Sequence, residues 1–436
     1  MPSPAMRREP SIATSDALRG HPDACRAVAA LGLFSLSEHA VWVTILVVAY
    51  QRGGVVETGV VSAALLIPAA SAAPVAAREL SSPRFGNPLA FGYAIQAVAL
   101  LVVAAVLALE LDPVVFYMAG MLATVTTVFS RPTHHAYITG GHAMPAATVA
   151  TGVVSGAAQL GGPLLASVVL VRFGAVQVMG IGAALLAAAC LLVVGVPRPS
   201  LRTEPAGAGD GASWPARPAP VRYALHGHPP ATQRCVLLLM TLLGAVTVVL
   251  GITETLAAEV SFARDGVGGA GTGVLLAAVG AGLLAGAPLA GRLMAGGREH
   301  RAMRSGALVS GSALMAIALP LGFAWAIAAF AAVGAGMQIV LVSGWVLLHR
   351  YAGGTNTAIV FGFLERQQLI GNGLGALCAG IVVGGVGLWP VVVVVGALLP
   401  MSMLAMNADR ARRLSSGTEV GAELGTASSS AGVNWS

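Results

Sequence analysis

LFSLSEHAVWVTILVVAY, residues 33 to 50, lies in an apolar run that extends from 27 to 49, yet it places Glu38 and His39 near its middle. An α-helix rises 1.5 Å per residue, so about 20 apolar residues cross a hydrocarbon layer of roughly 30 Å. A charged carboxylate at that depth costs about 2.5 to 3.5 kcal/mol on insertion scales. The run therefore reads as a membrane helix whose acid either faces a cavity or carries a proton. Composition agrees: of 436 residues, 56% are hydrophobic and only 10% charged, too little polar surface to cover a water-soluble globule.

Outward from this stretch the chain shows twelve apolar segments of spanning length: 27 to 49, 56 to 77, 88 to 109, 113 to 130, 144 to 171, 173 to 196, 235 to 257, 270 to 291, 303 to 320, 323 to 348, 358 to 385 and 388 to 406. An all-α integral membrane protein is expected, without a cleaved leader, because the first apolar run holds Glu38 and lacks a cleavage site. The 24 basic residues are all Arg. When connections are assigned alternately to two sides, 21 of them fall on one side with both tails, and only Arg52, Arg172 and Arg264 on the other. That asymmetry predicts a multi-pass protein of the plasma membrane with both termini cytoplasmic.

The longest polar interruption, 197 to 234, is rich in Pro, Gly, Ala and Arg and reads as a cytoplasmic linker. It separates a six-helix half at 27 to 196 from another at 235 to 406, with tails at 1 to 26 and 407 to 436. APVAAR at 73 to 78 recurs as APLAGR at 287 to 292, each closing the second span of its half, so the halves read as pseudo-symmetric bundles.

This layout, with SEHAVWVTILVVAYQRGG at 37 to 54, VFSRPTHHAYI at 128 to 138 and VFGFLE at 360 to 365, resembles the major facilitator superfamily, specifically its actinobacterial drug and siderophore exporters. The resemblance covers about 27 to 406. It implies a twelve-helix secondary transporter working by alternating access, with small amphiphilic molecules as substrates exported against protons. Two departures stand out. The family's Gly-x-x-x-Asp-Arg gate loop reads AARELSSPRFGN at 76 to 87, with Ser81 and Ser82 in place of the Asp and Arg. Its counterpart AGRLMAGGREHRAMRSG at 290 to 306 keeps Gly291 and Arg292 without the Asp. Arg78, Arg292, Glu365 and Arg366 remain as gate candidates. The antiporter pattern of span 5 survives partly as GAAQLGGPLL at 156 to 165, making Gly162 and Pro163 the candidate helix bend.

Glu38 and Glu254 are the candidates for proton coupling, since a carboxyl that gains and loses a proton inside the membrane is what such a transporter requires. The 214-residue offset between the repeats carries Glu38 to position 252, two residues from Glu254. The competing readings are a neutral structural acid bonded to Gln159 or Thr124 for Glu38, and interfacial solvation near the outer end of its span for Glu254. His39 lies about 100° around the helix from Glu38 and reads as a packing residue. Polar or aromatic residues inside apolar runs supply the substrate-cavity candidates: Gln96, Tyr117, Thr124, Gln159, Gln338, Trp345 and Asn372. Interhelical hydrogen bonding is the alternative role for each. Arg131 and the other scattered Arg suit lipid headgroups rather than nucleic acid. The expected partners are thus a small-molecule substrate, protons and membrane lipids. The His of HHAYITGGH and HGHPP fall in loops, the four Cys are dispersed, and neither set has metal-ligand spacing. With no Lys there is no Walker-type phosphate loop, and no catalytic constellation is present, so neither an enzyme nor a cofactor is expected. Uptake or facilitated diffusion, and a transporter-like sensor or scaffold that no longer transports, are the alternative functions.

Overall fold

A computed structural model describes residues 22–81, 87–139, 144–196, 230–294, 297–352, 357–397 and 401. The two tails, the linker up to 229 and the gate loop at 82–86 lie outside the described residues, as do the side chains of Arg78 and Arg131.

Among its described residues the chain forms helices joined by short turns, with no strand. The first helix, α1 (Pro22–Ser81), runs through two spans with a break at Gly53 and Gly54. Gly54 has φ of 68°, a left-handed conformation that a Cβ would oppose, so the QRGG sequence turns the chain without leaving the helical register on either side. Then come α2 (Pro88–Ala108), α3 (Pro113–Thr139), α4 (Met144–Phe173) and α5 (Ala175–Val193). The second half contains α6 (Pro230–Glu259), a π-helical turn at Val260–Arg264, α7 (Gly269–Met294), α8 (Glu299–Ile317), α9 (Phe323–Ala352), α10 (Thr357–Val386) and α11 (Leu388–Ala397). Eight of these are long and apolar enough to cross a membrane. The first divides in two at its break; α3, α8 and α11, which are shorter or less apolar, complete the twelve.

Local chemistry sets the boundaries. Asn87 caps α2 by accepting the Ala90 N–H at 3.1 Å, with Pro88 in the first turn where its missing N–H costs nothing. The same Asn87 amide donates to the Val193 carbonyl at 2.6 Å, tying the start of α2 to the end of α5. The expected breaks near residues 173, 320 and 389 fall at Gly174, Gly322 and Gly387, each at positive φ.

Helix pairing follows a pseudo-twofold pattern. Within the first half, the first arm of α1 packs on α4 and α5, its second arm on α3, and α2 on α3 and α5; in the second half α6 packs on α10, α7 on α9 and α8 on α9. Between the halves the main crossings are α1 with α10 and α4 with α7, which exchange under the same operation. The first half has its own core around Phe34, Tyr93, Phe116, Met179 and Leu186. The core of the second half, around Leu239, Leu243, Leu256, Phe330 and Met337, continues without interruption onto Val43, Leu46 and Val47 of α1 and Ala166 of α4. Lipid cannot drive helices together by the hydrophobic effect, so close van der Waals packing of this kind carries the association.

Candidate functional site

The two acids singled out in the sequence come together at the interface between the bundles. Each lies where its helix crosses a bundle partner at a glycine. On α1, the Leu36–Ala40 turn that contains Glu38 rests on Gly162 of α4; a Cβ built there would sit 2.7 Å from His39 Cβ and 2.8 Å from the Leu36 carbonyl oxygen. On α6, Gly251 lies three residues before Glu254 and packs against the backbone and side chain of Asn372 on α10.

Glu254 is the centre of the cluster. Its Oε2 accepts the indole N–H of Trp42, on the opposite bundle, at 3.0 Å. Asn372 of α10, packed on Gly251 one turn away, and Glu38 of α1 both lie near enough to act on the same carboxylate. Both Glu38 and Glu254 are half-buried. A second tie between α1 and α6 lies further along: the Tyr50 hydroxyl donates to Glu259 Oε2 at 2.8 Å, and its ring stacks on Phe262 at 4.7 Å between centroids, on the π-helical turn. Trp42 and Tyr50 thus hold α6 from the other half through two acids five residues apart. Near the α1 break, the Arg52 guanidinium lies 5.0 Å from the Phe116 ring centroid and Tyr117 donates to Glu57.

The remaining candidates are dispersed. Tyr117 belongs to the cluster just described, at the end of the first bundle. Gln96 is buried within the first bundle on α2, its Oε1 without a hydrogen-bond partner among the described residues. Thr124 bonds back to Gly120 of its own helix at 2.9 Å. Gln338 packs on Gly286 of α7, and Trp345 is 42% exposed. Arg292 is exposed; Glu365 and Arg366 are half-buried and form no ion pair among the described residues. Gln159 sits at the α4–α7 crossing with a function in its backbone. Proline at 163 has no N–H for the Gln159 carbonyl, and α4 nonetheless continues as one helix. The Gln159–Leu160 peptide lies against α7, where a Cβ built on Gly280 would sit 2.5 Å from the Gln159 oxygen and 2.7 Å from the Leu160 nitrogen. Ser167 adds a link, its hydroxyl positioned 2.8 Å from the Pro163 carbonyl and 3.1 Å from that of Ala270.

Sequence reasoning passed over Trp42, Tyr50, Glu57 and Glu259. A signal existed for Trp42: it follows Glu38 by four residues and so shares its helix face, and a tryptophan in hydrocarbon needs an acceptor for its N–H.

No protein-family model and no curated protein matches the sequence. Solved structures do. An auto-inhibited POT family peptide transporter matches with a TM-score of 0.66 at 16% identity, over 90% of this chain and 97% of the other. The nucleoside transporter NupG matches with 0.63 at 14% identity, over 88% and 98%. The human organic anion transporter MFSD10 matches with 0.58 at 14% identity, over 88% and 98%. The twelve helices in two pseudo-symmetric bundles thus share the fold of these solved transporters over nearly their full length.

Proposed function

We propose that the chain is a proton-coupled secondary transporter that moves small amphiphilic molecules out of the cell by alternating access. The observation that carries this reading is the Glu254 carboxylate, held inside a spanning helix by an indole N–H from the opposite bundle, with Glu38 nearby. A hydrogen bond to a charged acceptor is roughly twice as strong as one between neutral groups. Taking up a proton at Glu254 therefore weakens a bond that joins the two halves, which links proton occupancy to their relative position. Releasing the proton on the other side restores it. Each charge carried across 100 mV supplies about 2.3 kcal/mol, enough to drive a neutral solute uphill.

Export rests on the likeness of residues 128 to 138 to the fourth-helix exit of the drug and siderophore exporters. The solutes named for the structural neighbours, peptides, nucleosides and organic anions, favour a small organic cargo. The Arg asymmetry supports a plasma-membrane protein with both tails and the 197 to 234 linker cytoplasmic, and scattered Arg against anionic lipid.

The test is purified protein in liposomes under an imposed pH gradient, with ethidium and a panel of fluorescent amphiphiles as probes. Accumulation driven by the gradient and collapsed by an uncoupler is expected, and Glu254→Gln should remove it. Undiminished uphill accumulation by the double variant Glu38→Gln with Glu254→Gln would sink the coupling assignment.

A further inference from the structure

The groups that act on Glu254 differ in what they offer. Trp42 contributes an indole N–H, a donor with no acceptor, from α1. Glu38, also on α1, contributes like charge. Asn372, on α10, contributes an amide, which is donor and acceptor at once. On α6 itself the nearest acid, Glu259, is engaged by Tyr50.

A carboxylate only accepts hydrogen bonds, whereas a protonated carboxyl must also donate one. Trp42 meets the first requirement and has nothing for the second. The acceptor needed is present in the same crossing: Asn372 Oδ1 is buried and has no hydrogen-bond partner among the described residues, lying against Gly251, where a Cβ would sit 2.6 Å from it. A buried acceptor left unpaired one helical turn from a half-buried acid is half of a two-way arrangement.

We propose that Asn372 is the positioning residue that lets Glu254 rest in both protonation states: its amide N–H donates to the charged carboxylate, and with the amide rotated its Oδ1 accepts from the protonated carboxyl. This rests on the reading of Glu254 as the coupling site. The O–H bond formed at Glu254 comes from the proton taken up, and nothing else is made or broken.

The full chain in lipid nanodiscs, followed by infrared difference spectroscopy through a pH titration, tests it. The carboxyl C=O band that Glu254→Gln removes is the Glu254 signal. In Asn372→Leu, similar in size and without hydrogen bonding, that band should move to higher frequency. Its titration midpoint should shift by about threefold to tenfold in proton concentration, the range for one net hydrogen bond. Because Asn372→Leu risks misfolding, a second measurement uses the unsubstituted residue. With side-chain 15N-labelled asparagine, the amide band should change with the Glu254 midpoint and stay fixed in Glu254→Gln. A Glu254 band that titrates with frequency and midpoint unchanged in Asn372→Leu overturns the proposal and leaves the coupling reading standing. So does a silent asparagine band while Glu254 titrates. Absence of any Glu254-dependent band across the titration overturns both.

Discussion

Trp42 joins the halves through one N–H, and that makes it the most economical residue to change. Trp42→Phe keeps an aromatic ring and removes the donor, so the Glu254 carboxylate loses its tie to the opposite bundle. Interhelical hydrogen bonds in membranes are worth about 0.6 to 2 kcal/mol, so purified Trp42→Phe should unfold at a measurably lower temperature in a thermal-shift assay, by an amount consistent with that range. An unchanged transition would mean the bond carries no net stability. Glu38→Gln removes charge change and preserves size and hydrogen bonding. In liposomes it should abolish gradient-driven accumulation while downhill exchange persists, because exchange needs no net proton movement. Wild-type uphill rates from this variant would leave Glu254 as the sole coupling acid.

At the scale of the helix, the crossings depend on the absence of a side chain. Gly162→Leu forces atoms into the Leu36–Ala40 turn of α1, where even a Cβ meets His39 at 2.7 Å. Overpacking of this kind costs about 1 to 3 kcal/mol, and detergent-extracted Gly162→Leu should lose monodisperse protein at a lower temperature than wild type on size-exclusion chromatography. Identical thermal profiles would show that α1 and α4 yield there. Helices of this sort are legible in sequence because hydrocarbon thickness fixes their length. Breaks are legible too, since Gly54, Gly174, Gly322 and Gly387 are glycines at positive φ. Pro163 was visible as a candidate bend that frees the Gln159 carbonyl, but that this peptide lies against Gly280 of the other bundle was not. Partner choice is what spacing along one helix does not encode. Glu38 and Glu254 stood out as acids in apolar runs, whereas the way Trp42 and Asn372 gather around Glu254 depends on how the three helices α1, α6 and α10 cross. Tyr117 and Trp345 looked equivalent in sequence and ended far apart in role, one bonded to Glu57 and the other 42% exposed.

For the molecule as a whole, the Arg distribution predicts sidedness. Asp265→Cys, in the connection between α6 and α7, should react with an impermeant maleimide added to intact cells, and Ala208→Cys in the linker only after the cells are opened. Labelling of Ala208→Cys in intact cells would reverse the orientation. The crossing of α1 with α10 has a different kind of consequence. Gly59 and Gly380 approach so closely that a Cβ on Gly59 would lie 3.0 Å from Gly380 Cα and 2.5 Å from the Ala376 carbonyl oxygen. With Gly280 against the Gln159 peptide on the α4–α7 side, each of the two principal crossings between the halves has a point at which main chain meets main chain. Interlocked side chains must change rotamer before they can slip past one another, and smooth backbone need not. If the halves turn on one another, as the proposed alternating access requires, these bare contacts are the places where the turn meets least friction, and the side-chain ties of Trp42, Tyr50 and Ser167 are the ones it must break or remake.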